Sequence, residues 1–247
     1  MTDTVLLSTT YFGPVQWYQK LYRYPHVLIE QCESFTKQTY RNRCLIASAQ
    51  GALALSVPVE HLTSNIIRDV RISDHGNWRH QHWQAITSAY GDSPFLEYYE
   101  DDLRPFFFER RWEYLLDYNE EICRKMCELI DIRPVLTRTD RYLTKPDKKL
   151  TKADSIAAQG SDPTIQDSAP DTQVSATATQ DSVVAIQDSA SAIADFREAI
   201  RPKHPLPDAD FLPRPYYQVF SRQHGFLPNL SILDLLLNMG PESIYYL

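Results

Sequence analysis

The sequence predicts an α/β fold, a mixed sheet entered through an N-terminal βαβ unit, with flanking helices, in one domain interrupted by a disordered low-complexity insertion. Three observations carry this expectation. Residues 5–8 and 26–31 are short aliphatic runs on either side of a stretch with helical spacing. Residues 78–90 and 231–239 carry apolar side chains at helical spacing between start and stop signals. Between Tyr142 and Phe196 there is no aromatic residue, and Gln-Asp-Ser recurs at 166–168, 180–182 and 187–189 in a setting too polar and small-sided to bury a core. The expected boundaries are therefore 1–144 for the first part of the domain, 145–194 for the insertion and 195–247 for the part that folds back.

In the βαβ unit, Gly13 supplies a turn and Pro14 is pre-shaped for the first helical position of a helix over 15–22. The amides that follow would point beyond the end of the first strand, where open α/β sheets bind ligands. A plain packing unit is the alternative. Apolar runs at 44–47 and 52–57 flank Gln50-Gly51 and predict a β-hairpin, and residues 66–72 read as a further strand. A central helix is expected from Trp78 to Tyr90, with Asn77 as its N-cap and Gly91 to Pro94 as its stop. Helical composition continues from 95 to 133 with Pro105 at a start, a break near 117–119, an apolar stripe through Ile122, Met126, Leu129 and Ile130, and an end before Pro134. Near the C-terminus, Leu230, Leu233, Leu235, Leu236 and Leu237 lie nearly all round a helix that Gly240-Pro241 ends, so that helix is expected to be buried.

Composition sets outer bounds. With 43% hydrophobic and 12% aromatic residues over 247 positions the chain can build a real core. A net charge of -7 supplies no broad basic field, so no nucleic-acid partner is expected and an anionic ligand would have to be met by a local cluster. No charged leader with an apolar run is visible and no stretch reaches the roughly 20 apolar residues of a membrane helix, so no membrane span is expected and the location is expected to be cytoplasmic. Cys32, Cys44, Cys123 and Cys127 are too few for a disulfide framework and read as reduced thiols. His75, His80 and His82 lack zinc spacing, and no metal site is expected. The seven glycines form no dinucleotide fingerprint, phosphate loop or nucleophile elbow, and the cofactor stays unknown.

Two clusters stand out within an acidic chain. Lys37, Arg41 and Arg43, interleaved with Tyr40 and Asn42, suit phosphate or carboxylate recognition, against the plainer reading of a solvated face paired with Glu30 and Glu33. On the central helix Arg79, His82, Trp83, Ile86 and Tyr90 share one face able to line a pocket. His82 is read either as a hydrogen-bonded core-edge histidine or as a general base.

The motifs TYFGPVQWYQKL, KQTYRNRCLI, LSVPVEH, NWRHQHWQAITSAYGDSPFLEYY and NLSILDLLLNMGPES, in this order, resemble the WbqC-like protein family. The resemblance spans residues 6–143 and 195–243. It implies a role in bacterial surface polysaccharide production, O-antigen in particular. The positions matching the family's polar signature are Tyr11, Lys37, Asn42, Arg43, His82, Ser231, Asp234 and Asn238. Family members often carry Gln-Pro where this chain has Thr9-Thr10, and Asn where Cys44 stands. Two functions follow as expectations. One is a transferase modifying a nucleotide-activated or otherwise anionic amino sugar. Here Arg41 and Arg43 hold phosphate or carboxylate, Lys37 and Asn42 orient the sugar, with Tyr11 and Asn238 beside it, and His82 acts as base with Asp234 orienting it or capping a helix. The other is a non-catalytic ligand-binding or assembly protein working with glycan-pathway proteins.

Overall fold

The computed structural model describes residues 3–144 and 193–247. These build a mixed α/β fold around a four-stranded parallel sheet in the order β5-β2-β1-β6, formed by β1 (Thr4–Ser8), β2 (His26–Glu30), β5 (Val135–Arg138) and β6 (Ala194–Asp195). The described residues up to Leu143 and from Ile193 onward pack as one compact unit. The expected disordered insertion lies outside the described residues, apart from residues 193 and 194. Ala194, assigned to it from composition, is instead the first residue of β6 and pairs with Val5.

Helix α1 (Val15–Arg23) returns the chain from β1 to a parallel β2, completing the expected βαβ unit with Ser8 opposite Glu30 at the carboxyl edge. The Trp17 indole donates to Ser8 O at 2.9 Å and fastens the helix to the strand end. Pro14 precedes the helix rather than opening it, and the first amides are already taken. Val15 N donates to Leu230 O, and Gln16 N to the Asn229 side chain, both at 2.9 Å. The anion-binding role expected of this helix end is thus excluded, because the C-terminal segment occupies it. That segment also covers the helix flank. Lys20, fully buried, pairs with Asp208 at 2.7 Å and Gln16 donates to the same carboxylate at 2.9 Å.

The hairpin forms as expected from β3 (Arg43–Ser48) and β4 (Gly51–Ser56), with Ser48 opposite Gly51 and a φ of 101° at Gly51, a left-handed value that glycine adopts without penalty. Residues 66–72 do not form a strand. Ile67–Asp69 make a 3-10 turn flanked by single bridges from Ile66 to Ser34 and from Ile72 to Val59. Its fully buried Ile67 and Val70 lie three apart, the spacing that a 3-10 turn stacks on one side.

Helix α2 spans Trp78–Tyr90 as predicted, but Asn77 makes no side-chain cap, and the Trp78 indole bond to Ser73 O at 3.0 Å anchors the start. Helices α3 (Leu96–Leu103), α4 (Pro105–Phe108) and α5 (Leu115–Leu129) follow. The break falls at residues 109–114, not at 117–119, because Leu115, Leu116, Tyr118 and Asn119 are all buried in the first turns of α5 while Asp117 turns outward to Arg138. Ile122, Met126 and Ile130 form the expected buried stripe, with Leu129 only partly covered. A short α6 (Ser221–His224) leads to α7 (Ile232–Met239), which Ser231 caps by accepting from Leu233 N. Leu233, Leu235, Leu236 and Leu237 are all fully buried, each contributing roughly 2 kcal/mol of apolar burial.

Candidate functional site

Parallel strands end together, so their carboxyl edge gathers whatever side chains follow them. Here β1 is flanked by β2 on one side and β6 on the other; the chain runs from β1 toward β2 and β5 and returns to the far edge only with β6. The gap between β1 and β6 is therefore a topological switch point, the place where open α/β sheets hold ligands. A small recess of about 10 Å³, room for about one water, lies there among Ser8, Thr9, Thr10, Arg41, Phe196 and Arg197, with Leu7, Trp17, Tyr40 and Ile200 also lining it.

Two arginine–carboxylate assemblies wall it. Arg41 grips Glu33 with two N–H groups, Nε to Oε1 at 2.8 Å and Nη2 to Oε2 at 2.6 Å, and also donates to Ser8 Oγ at 3.0 Å and Thr39 Oγ1 at 3.3 Å. Ser8 Oγ in turn donates to Glu33 Oε2 at 3.0 Å. Arg197 donates from Nη1 to Glu30 at 3.3 Å, from Nε and Nη2 to Asp195 at 3.0 and 2.9 Å, and from Nη2 to Leu143 O at 2.6 Å. Glu30, fully buried, also accepts from Thr139 Oγ1, Cys32 N and Leu143 N at 2.7 to 2.9 Å. A second cavity of the same size lies beside Thr9, Thr10, Asn119 and Cys123. Thr10 thus borders both. Its Oγ1 has no partner although the residue is only 4% exposed, and Asn119 Oδ1 is likewise unpartnered.

The expected site residues disperse. Arg41 enters the cavity wall, but its two-pronged geometry already engages Glu33. Lys37 is exposed on the loop leading to Tyr40 and Arg41 and has no ion-pair partner among the described residues. Arg43 is half-buried at the start of β3 and donates to Ser56 Oγ at 2.9 Å. Asn42 ties the hairpin to the chain after it: Nδ2 donates to Val57 O at 3.0 Å and its carbonyl accepts from Val57 N at 2.8 Å, with Oδ1 left unpartnered. Asn238 donates to Asp234 O at 2.7 Å within α7, and its Oδ1 is also unpartnered.

His82 lies in the interior against Tyr11, whose hydroxyl is 2.9 Å from Nδ1. Burial lowers its pKa from 6.5 to about 4, opposed by a hydrogen bond with the Ser56 backbone, so the ring is neutral at pH 7. Burial and the neighbouring Tyr118 hold the Tyr11 hydroxyl well above its ordinary range. Because Tyr11 immediately follows Thr9 and Thr10, and its N–H donates to Tyr40 O at 2.8 Å, the imidazole fixes the loop that borders both cavities. Asp234 does not orient His82. Its carboxylate accepts from Tyr90 Oη at 2.9 Å and from Tyr216 Oη and Gln218 Nε2 at 2.7 Å, while burial raises its pKa against the lowering effect of those donors.

Sequence reasoning missed Arg197 and the unpartnered Thr10 hydroxyl, and it named Glu30 only as a partner of the Lys37 to Arg43 cluster, whereas Glu30 pairs with Arg197 and Glu33 alone takes the expected partner, Arg41. The strand-end position of Ser8 and the turn that follows carried a signal. Nothing marked Arg197, which meets Glu30 across 167 positions. Cys123 and Cys127 sit with sulfurs 3.9 Å apart, as buried free thiols, and no cluster of three or more His, Cys, Asp or Glu side chains suited to a metal occurs among the described residues. Nor is any helix there long and apolar enough to cross a membrane.

The family model described as WbqC-like protein family matches residues 9–177, more than half of the chain. The match takes in the four motifs from Thr10 to Tyr99 and ends before the closing motif at 229–243. No curated protein and no solved structure matches.

Proposed function

The chain belongs to the WbqC-like protein family, and we propose that it serves bacterial surface polysaccharide production, O-antigen in particular, as a transferase modifying a nucleotide-activated amino sugar. The observation that carries the site in this reading is the convergence of Ser8, Thr10, Arg41 and Arg197 on the cavity at the switch point of the sheet. Fixed donors around this small recess can orient a polar group of the ligand. Lys37, exposed on the loop that leads to Arg41 and without an ion-pair partner among the described residues, meets the phosphates. Arg41 holds Ser8 and Glu33 in register. His82 and Tyr11 are positioning residues behind this wall, Asn42 and Arg43 steady the adjoining hairpin, and Asp234 and Asn238 hold α7 apart from the site.

The test is a calorimetric titration of the full-length protein with UDP-linked hexosamines, with and without a free amine, alongside Lys37→Ala and Arg41→Lys. Binding in the micromolar range that each substitution weakens about tenfold or more is expected, with turnover followed as a mass change of the sugar. No binding by any nucleotide sugar, or binding indifferent to both substitutions, defeats the reading.

A non-catalytic ligand-binding or assembly protein of the glycan pathway is the second reading. It is favoured by the state of His82, whose ring is engaged by Tyr11 and the Ser56 backbone and whose lowered pKa makes it a weak base at pH 7. It predicts the same binding with no mass change of the sugar under any donor.

A further inference from the structure

The cavity between β1 and β6 offers donors without offering net positive charge. A guanidinium carries five N–H groups. Arg41 uses four of them on Glu33, Ser8 and Thr39, and Arg197 uses four on Asp195, Glu30 and Leu143, which leaves one N–H on each Nη1 without a partner among the described residues. The third donor is Thr10 Oγ1, buried and unpartnered. All three side chains line the same cavity. Against two guanidinium charges stand the carboxylates of Glu30, Glu33 and Asp195, at 2.6 to 3.3 Å from the arginine nitrogens. An incoming phosphate or carboxylate oxygen would meet these fixed negative charges at close range in a poorly solvated space, where repulsion is weakly screened. An uncharged oxygen has two lone pairs, enough to accept from Thr10 Oγ1 and a guanidinium N–H, and incurs none of that repulsion. The volume, about 10 Å³, admits one oxygen-sized group and no whole ring.

We infer that this cavity takes a single uncharged oxygen of a sugar, a hydroxyl or an N-acyl carbonyl, and discriminates against phosphate. The inference rests on the sugar-binding reading above and fixes the direction of the ligand: the sugar oxygen enters between Arg41, Arg197 and Thr10, and the phosphates stay outside toward Lys37.

Four probes test it by NMR shifts of the full-length protein and by competition: UDP-N-acetylglucosamine, N-acetylglucosamine, UDP and inorganic phosphate. Thr10→Val should weaken the two sugar probes by about tenfold and leave UDP unchanged, since it removes one donor at constant shape; Thr10→Ser should restore the sugars. Phosphate should not displace either sugar from the wild type. It should do so from Glu33→Gln, where the Arg41 charge is no longer matched. Thermal melts verify that each variant is folded, and Thr10→Ser serves as the folded control if Thr10→Val unfolds. Phosphate displacing the sugars from the wild type, or Thr10→Val weakening UDP as much as UDP-N-acetylglucosamine, overturns the inference. N-acetylglucosamine shifting the amides of Ser8 and Thr10 without any binding of UDP-N-acetylglucosamine removes the nucleotide-sugar reading and keeps this one. Absence of shifts from both sugars removes both.

Discussion

Two regions of this molecule bury polar side chains, and they do so to opposite effect. Around α7, Asp234 gathers Tyr90, Tyr216 and Gln218, so that three donors from two separate segments close on one carboxylate. At the carboxyl edge of the sheet, Arg41 and Arg197 close on Glu33, Glu30 and Asp195, but an N–H on each, the Thr10 hydroxyl and two water-sized cavities are left over. A buried polar network whose carboxylate is fully engaged locks elements together, whereas one with donors to spare beside empty volume is ready for a ligand. Burial of polar groups alone therefore does not mark a site; a surplus of unanswered donors beside empty volume is what supports the proposed one.

The largest effect should come from the closed network. Asp234→Ala leaves two hydroxyls and an amide without their acceptor in the core, and urea unfolding should register a loss of about 4 kcal/mol. Binding of a sugar probe by the fraction still folded should be unchanged. Weakened binding in that fraction would erase the distinction between the regions.

His82 comes next. Its folded pKa of about 4 lies below the ordinary 6.5, so the unfolded chain takes up the proton first as the solution is acidified. Stability from this group is complete above pH 6.5 and declines as the pH falls to 4, by up to about 3 kcal/mol. Asp234, with its raised pKa, acts in the other direction, favouring the fold as its carboxyl protonates. The difference between the wild type and His82→Asn across that range isolates the imidazole; parallel curves would mean that the ring titrates normally.

A smaller change probes the open region. A Cβ at position 13 would overlap Thr10 Oγ1, so Gly13→Ala must displace the threonine. A stability loss of about 1 to 2 kcal/mol is expected, with sugar binding weakened beyond it at temperatures where the variant is folded. Unaltered binding would separate Thr10 from the site.

The smallest effect should follow removal of residues 146–191. Glu30 accepts from Leu143 N and Arg197 Nη1, and Arg197 Nη2 donates to Leu143 O, so the chain ends on either side are already stitched together. Replacing the segment by about ten Gly and Ser residues should shift the melting temperature by no more than about 2 °C. A collapse of the melt would show that this stitch needs what lies between its ends.

Much of the fold was legible because it obeys short-range rules. The βαβ entry, the hairpin at Gly51, the limits of α2 and the leucine-rich α7 follow from apolar periodicity and turn chemistry within a few residues. The expected strand at 66–72 failed because β-branched residues in a short apolar run suit either a strand or a tight turn, and spacing around Ile67 and Val70 chose the turn. Site reading fared differently. Arg41 was visible as a basic residue in an acidic chain, yet its pairing with Glu33 reverses what it offers a ligand.

By itself the sequence determined most of the local elements, the net acidic charge and the family, since each depends on composition, nearby spacing or ordered motifs. Tertiary structure alone decided which charges survive. Arg197 meets Glu30 and Thr10 meets empty space only after strands far apart in the chain align at one edge, and electrostatic character belongs to that proximity rather than to residue type.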